Sequence, residues 1–239
     1  MRGEKEEVMG MGDTPEGAIL QRDGKTYAVI TRTPAGLITA DHLEKVAAVA
    51  RRHGVPTLKI TSGQRIALVG IPVEKLGGVF RDLGRDADST GGPCLHYVRA
   101  CPGTETCRFG VQDSMGLAAA LEEKFRGRRF PAKLKMGISG CPRSCGESHT
   151  RDIGILGTSR GWTVVFGGNG GTRPRIGDVL AKNLPADDAL DLVDRLLGYF
   201  GSHAKPKERT ARFMERIGMA TLRSELLSLI PYIPLEEAK

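Results

Sequence analysis

Four cysteines in two close pairs constrain this chain more than any other feature. The first pair, Cys101 and Cys107, lies in CPGTETC, and the second pair, Cys141 and Cys145, lies in SGCPRSCG. The spacer between the pairs is long enough for a helix and a short apolar segment, so the chain can fold back and bring four thiols together. The pattern therefore predicts one site built from all four cysteines.

Three kinds of site compete for these cysteines. Disulfides are rare in a reducing compartment, and MRGEKEEVMG at the start lacks the apolar segment of a secretory signal, so we expect a cytoplasmic location. Zinc sites with four cysteines normally use C-x2-C spacing, which neither pair has. An iron-sulfur cluster accepts wider, unequal spacings and takes four thiolate ligands. The spacing favours the cluster over zinc and over disulfides.

Composition narrows the class of protein. A chain of 239 residues with 40% hydrophobic residues has enough apolar material for one large domain or two small ones. Its formal charge of +7 favours an anionic partner. We expect no nucleic acid, because the sequence has no dense Lys/Arg run and few aromatic residues, and no membrane, because no apolar run approaches spanning length.

Periodicity predicts three regions. Residues 1–14 show no periodicity and are expected to be a flexible arm. Residues 15–90 follow a β-α-β-β-α order that is typical of a small α+β half-domain, with a helix predicted over 38–54. Residues 91–239 follow the Gly91-Gly92-Pro93 break and mix strands with amphipathic helices. In this region we predict helices over 104–126, 186–204 and 207–230, and strands over 133–139, 152–157 and 162–168.

Several ordered motifs together resemble the siroheme-containing sulfite and nitrite reductase family. They are CPGTETC with CPRSC, KLKMGISGC, GWTVVFGGNGG and LKITSGQRIALVGI, and the resemblance begins at about Ile19. It implies an α+β fold in which a ferredoxin-like half-domain, residues 15–90, precedes an α+β siroheme/[4Fe-4S] binding domain, residues 91–239. It also implies that Cys145 bridges to the siroheme iron and that the cluster is held by Cys101, Cys107, Cys141 and Cys145.

Basic residues are the expected substrate-binding groups, because sulfite and nitrite are small oxyanions that take up protons as they lose oxygen as water. Lys133 and Lys135 alternate on a predicted strand and so share one face; they resemble the active-site lysine pair of the family. Arg99 and Arg65 resemble its arginines. The alternative interpretation is that each of these side chains is a solvated surface charge, which is the commonest state of Lys and Arg.

Siroheme carries several carboxylates, so further cations are expected to dock it. Arg108, Arg143 and Arg151 lie beside the cysteine pairs, where a guanidinium can bind a carboxylate with two hydrogen bonds. Asn169, in GGNGG, is a further candidate for contact with the macrocycle. The alternative interpretations are that the three arginines are charges on the loop surface and that GGNGG is a plain hairpin turn.

The resemblance implies reduction of sulfite to sulfide, with nitrite to ammonia as the nearest alternative. The alternative classes are an oxygenase of the cobalamin pathway and a non-catalytic iron-sulfur electron carrier. The sequence lacks a strand-GxGxxG-helix unit, so a separate donor such as a ferredoxin is expected to supply electrons. Larger family members hold two copies of this unit, whereas this chain has one, which suggests a homodimer with the lysines of one subunit over the cofactor of the other.

Overall fold

A computed structural model describes residues 16–88 and 92–227, and the chain divides into two compact units. Among the described residues, the first unit contains 16–32, 39–61 and 65–88. The second unit contains 92–227 together with two short segments, 33–38 and 62–64, from the earlier part of the chain. The predicted arm, residues 1–14, lies outside the described residues.

The first unit is a four-stranded antiparallel sheet with two helices, α1 (Ala40–His53) and α2 (Val73–Leu83). Helix α1 begins where Thr39 accepts a hydrogen bond from the backbone N–H of His42 at 3.2 Å, which satisfies an otherwise unpaired helix donor. Apolar residues of both helices pack on the sheet. The strands are β1 (Ala18–Leu20), β2 (Thr26–Ile30), β3 (Thr57–Ile60) and β4 (Ile66–Pro72). Their order across the sheet is β1-β2-β4-β3.

The second unit is a five-stranded mixed sheet whose strands follow one another in chain order. The first three strands are parallel and the last two are antiparallel to their neighbours. The strands are β5 (Leu95–Ala100), β6 (Leu134–Ser139), β7 (Ile153–Thr158), β8 (Gly161–Phe166) and β9 (Asp178–Leu184), and the helices are α3 (Ser114–Phe125), α4 (Ala186–His203), α5 (Thr210–Ile217) and α6 (Met219–Leu227).

Alternation along β6 separates an apolar face from a polar one. Leu134, Met136 and Ile138 are fully buried in the main hydrophobic core with residues of α3 and α4. Because successive side chains of a strand point to opposite faces, Lys135 and Ser139 lie on the other face. Lys135 and Ser139 are therefore carried by the sheet face opposite the core.

The α+β fold class is confirmed, and two predicted helices need correction. The helix predicted over 104–126 starts only at Ser114, since the preceding residues form the first cysteine loop and Asp113 accepts a hydrogen bond from Gly116 N–H at 2.9 Å. The helix predicted over 207–230 is broken at Gly218, whose φ of 81° lies outside the helical region.

In residues 16–88 and 92–227, no helix is long and apolar enough to cross a membrane.

Candidate active site

The two cysteine pairs follow two neighbouring parallel strands. Cys101 comes directly after β5, and Cys141 comes two residues after β6. Because parallel strands end at the same edge of a sheet, the two loops start side by side. The backbone N–H of Cys101 donates to Ile138 O at 3.1 Å, and the N–H of Gly140 donates to Cys101 Sγ at 3.2 Å. Hydrogen bonds to cysteine sulfur are among the features by which a protein tunes an iron-sulfur cluster.

Backbone contact locks the two cysteine loops together at Gly140. A Cβ at this position would lie 2.6 Å from Gly103 Cα and 2.7 Å from Gln112 O, so only glycine fits without movement of the backbone. The carbonyl oxygen of Gly140 also accepts the N–H groups of Val111 and Gln112, at 2.8 and 3.0 Å. The relative position of the loops is therefore set by main-chain atoms.

The second cysteine loop then crosses the polar face of the sheet. It lies so close to β6 that a Cβ at Gly137 would be 2.4 Å from Gly146 O. Two fully buried serines hold it there: Ser139 Oγ lies 2.8 Å from Ser148 Oγ and accepts the N–H of Gly146 at 2.9 Å. Ser148 in turn donates to Ile155 O at 3.1 Å on β7.

The four predicted ligands differ in exposure. Cys141 is buried, Cys101 and Cys107 are half-buried, and Cys145 is exposed; none of the four forms a disulfide with a described residue. Within residues 16–88 and 92–227, no group of three or more His, Cys, Asp or Glu side chains is arranged to hold a single metal ion. The thiols nevertheless fit a larger iron-sulfur group, because the two loops that carry them are joined through their backbones and one thiol already accepts an amide N–H.

The predicted lysines lie at the opposite end of β6. Lys133 is exposed and lines a cavity of about 340 Å³. Lys135 is half-buried, with Nζ 5.8 Å from the centre of the Tyr97 ring. Burial is the largest cause that lowers the pKa of Lys135, and the guanidiniums of Arg209 and Arg151 lower it further. The other residues that line the cavity are Gly92, Pro93, His96, Pro131, Ala132, Lys207 and Arg209.

Two predicted arginines of the second unit share one carboxylate. Arg99 and Arg151 form ion pairs with the two oxygens of Glu147, and Arg99 also donates to Ser62 O at 3.2 Å. The Nε atoms of Arg99 and Arg151 are buried and have no hydrogen-bond partner among the described residues. Each guanidinium thus keeps one donor for an added acceptor.

The remaining predicted residues have local partners. In the first unit, Arg65 pairs with Asp88, a buried carboxylate. In the second unit, Arg108 and Arg143 place their guanidiniums 4.6 and 4.0 Å from the centre of the exposed Phe109 ring, one from each cysteine loop. Asn169 stabilises its own turn, since Nδ2 donates to Arg173 O at 2.8 Å and Oδ1 accepts Gly171 N–H at 3.1 Å.

Three residues near the site were not predicted from the sequence. Gln64 binds the backbone of Ala100, directly before Cys101, with Nε2 to O at 3.1 Å and N to Oε1 at 3.2 Å. The buried carboxylate of Asp152 forms an ion pair with the partly exposed Arg209 beside Lys135. Gln64 lies inside the quoted SGQR motif, whereas nothing in the sequence around Arg209 distinguishes it from other basic residues.

Comparison with known families shows which protein family the chain belongs to. The profile of the nitrite and sulphite reductase 4Fe-4S domain matches residues 91–230, and that of the nitrite/sulfite reductase ferredoxin-like half domain matches residues 19–85. The chain belongs to the nitrite and sulfite reductase family. The predictions of a siroheme and [4Fe-4S] cofactor pair and of a sulfite or nitrite reductase are confirmed at the level of the family.

Individual relatives include enzymes for both anions. The assimilatory-type sulfite reductase of Nitratidesulfovibrio vulgaris is 49% identical over 217 residues, which are 91% of this chain and 100% of that protein. The nitrite reductase [NAD(P)H] of Bacillus subtilis is 41% identical over 209 residues, 87% of this chain but only 26% of that enzyme. The nitrite reductase (NADH) large subunit of Escherichia coli is 38% identical over 203 residues, 84% of this chain and 24% of that subunit.

Solved structures share the fold at low sequence identity. Dissimilatory sulfite reductase I superposes with a TM-score of 0.77 at 16% identity, covering 90% of this chain and 72% of that chain. The NirA protein of Mycobacterium tuberculosis superposes with a TM-score of 0.74 at 18% identity, covering 92% of this chain and 44% of that chain. At these identities the similarity establishes the fold alone.

Proposed function

We propose that this protein reduces sulfite to sulfide, taking up six electrons and six protons and releasing three waters. The observation that carries the proposal is the 49% identity to an assimilatory-type sulfite reductase over all of that protein's length. Reduction of nitrite to ammonia is the second candidate. It is favoured by nitrite reductases of 38 to 41% identity, although the chain spans about a quarter of each.

The cysteines are proposed as the ligands of the cluster, with Cys145 shared with the siroheme iron. Bound siroheme and cluster would supply the open iron site and the electrons, one at a time. The exposure of Cys145 supports its proposed role as the shared ligand, because a thiol that binds a second group must be reachable from outside its loop. The backbone N–H of Gly140, which donates to Cys101 Sγ, supports Cys101 as a ligand, because hydrogen bonds to the sulfurs are part of the surroundings of such clusters. The full set of proposed ligands is Cys101, Cys107, Cys141 and Cys145.

The cations are proposed to bind the oxyanion and to donate protons. Lys133 and Lys135 carry the main part, with Arg99 and Arg65 as further candidates. A lowered pKa brings the ammonium of Lys135 closer to the working pH, which makes it a better proton donor than an ordinary lysine. The buried Nε donors of Arg99 and Arg151 are suited to an oxyanion or a carboxylate. The proposed contacts for the siroheme carboxylates are Arg108, Arg143, Arg151 and Asn169.

A symmetric dimer that completes each site in trans, with a ferredoxin-like electron donor, is part of the proposal. It rests on the single copy of each motif in the chain. It can be tested by mixing two inactive variants, one with Lys133 and Lys135 replaced by alanine and one with Cys145→Ala. After subunit exchange, sites formed in trans would recover about a quarter of wild-type activity. No recovery from a mixture shown to contain heterodimers would contradict the arrangement.

The spectrum and turnover of the protein purified from siroheme-producing cells test the function itself. We expect siroheme bands, reoxidation of reduced viologen on addition of sulfite, and a larger kcat/KM for sulfite than for nitrite. A larger kcat/KM for nitrite would select the second candidate. An iron-sulfur spectrum without macrocycle bands, even after reconstitution with siroheme, would leave an electron carrier and would overturn the proposal.

A further inference from the structure

A buried carboxylate joins three parts of the second unit beneath the lysines. Asp152 is 2% exposed and lies directly before β7. Its oxygens accept the backbone N–H of Lys135 at 2.9 Å and the hydroxyl of Thr210 at 2.7 Å. They also accept Nη2 of Arg209 at 2.8 and 3.0 Å and its Nε at 3.3 Å. One carboxylate thus connects the start of β6, the start of α5 and the guanidinium of Arg209.

These contacts do more than attach a helix to the sheet. Arg209 lines the same cavity as Lys133, and Asp152 determines where its guanidinium lies. Lys135 is held by its backbone, so the point from which its side chain leaves the strand is determined by the same carboxylate. Asp152 thus acts on Arg209 through its guanidinium and on Lys135 through its backbone N–H, and both residues lie next to Lys133, either on the cavity or two positions along the chain.

The charges around Lys135 are strongly unbalanced. The groups that face its ammonium are Arg209 before α5, Arg151 and Asp152 before β7, Lys133 on its own segment and the Tyr97 ring on β5. Asp152 is the acid among the groups that act on Lys135, and it raises the pKa that burial, Arg209, Arg151 and Lys133 lower. The cations therefore repel one another across the place where an anion would bind, and Asp152 offsets this repulsion.

We propose that Asp152 is a positioning residue of the anion site, which presents Lys135 and Arg209 together to the sulfite or nitrite oxyanion. This inference rests on the proposed function and deepens it: Arg209 joins the oxyanion-binding cations, and Asp152 controls the placement of Arg209 and Lys135. Asp152 itself does not touch the substrate.

The protonation of Lys135 gives a test that does not need turnover. The pH dependence of its acetylation by acetic anhydride is read by mass spectrometry of the peptide that carries it, with the exposed Lys182 of β9 as internal reference. Asp152→Asn keeps the shape but removes the charge, so the labelling midpoint of Lys135 should fall by about one pH unit. Arg209→Gln removes a repelling cation, so the midpoint should rise.

Thr210→Val is the matched control, because it removes a donor to the same carboxylate and leaves every charge in place. Its labelling midpoint should equal that of the wild type. Unchanged midpoints in both Asp152→Asn and Arg209→Gln would overturn the inference. If Asp152→Asn does not fold, Arg209→Gln decides alone. The Arg209 side chain is partly exposed, so this variant is expected to fold, and the labelling midpoint of Lys135 in it must still rise.

Kinetics of the holoenzyme separate this inference from the proposed function. In an active enzyme, the alkaline fall of kcat/KM for sulfite should move in the same directions as the labelling midpoints, and KM should rise several-fold in both charge variants. A wild-type enzyme that reduces neither anion overturns the proposed function. An active wild type whose variants keep the wild-type alkaline limb and KM overturns the inference alone.

Discussion

The two ends of β6 are built in different ways. At its carboxyl end, the cysteine loops are held by main-chain hydrogen bonds and by glycine contacts in which one added methyl group would collide with backbone. At its amino end, the cations are held by side chains that converge on Asp152 and Tyr97. The first region depends on shape and tolerates little substitution, whereas the second depends on charge and should respond to pH. Substitutions at the two ends of β6 should therefore differ in kind and in size of effect.

The largest effect is expected at Gly140. Gly140→Ala places a Cβ 2.6 Å from Gly103 Cα, and overpacking against backbone should lower the free energy of unfolding by about 3 kcal/mol. It should also reduce iron content, because the two cysteine loops must separate. Urea unfolding and iron analysis measure both effects. Gly198→Ala in α4 is the control, since a Cβ there meets no atom within 4 Å, and it should stabilise the protein by up to about 1 kcal/mol.

The next effect concerns Lys135. Lys135→Met should lower kcat/KM for sulfite by about 100-fold, because a charged donor to the oxyanion is lost. Its pKa in the folded protein lies below the ordinary value, so the unfolded state binds more protons and the charged amine opposes folding below that pKa. The variant should therefore melt slightly above the wild type at neutral pH, with the gain fading at alkaline pH. A lower melting temperature would show that Lys135 contributes mainly to packing.

A smaller loss of stability is expected from Ser139. Ser139→Ala removes the acceptor of Gly146 N–H and the partner of Ser148, all of them buried, which should cost about 2 kcal/mol. Chemical denaturation measures this difference. Ser202→Ala, at an exposed hydroxyl that bonds within its own helix, should change stability by less than about 0.5 kcal/mol. Equal effects of the two substitutions would mean that the buried pair does not hold the loop.

The smallest effect is expected from a surface ion pair of α5. Arg212→Ala removes the exposed pair with Glu215 and should leave the melting temperature almost unchanged, because solvent screens both charges. Arg209→Ala should cost more, since it leaves the buried carboxylate of Asp152 with fewer donors. The two variants can be compared by thermal unfolding. Similar losses of thermal stability in the two variants would contradict the inference that Arg209 is held by a buried carboxylate.

Much of the fold was predictable because its signals are local. The strand predicted over 133–139 is observed at Leu134–Ser139, and the helix over 186–204 at Ala186–His203. The helix over 104–126 was predicted too long, since the apolar spacing after Cys107 continues into a true helix and hides the loop before Ser114. Strands β1, β5 and β9 were not predicted, because their alternation is short or interrupted and they form by pairing with neighbours.

The sequence by itself determined the family and predicted the residue types of the candidate site, because cysteine spacing and the alternation of Lys133 and Lys135 are local patterns. Only the tertiary structure decided how those residues are held. The contact of Gly140 with Gly103 spans 37 positions, the bond from Arg209 to Asp152 spans 57, and the bond from Gln64 to Ala100 spans 36. No local propensity encodes such pairs, since they arise when strand pairing brings distant segments together and buried polar groups take the partners within reach.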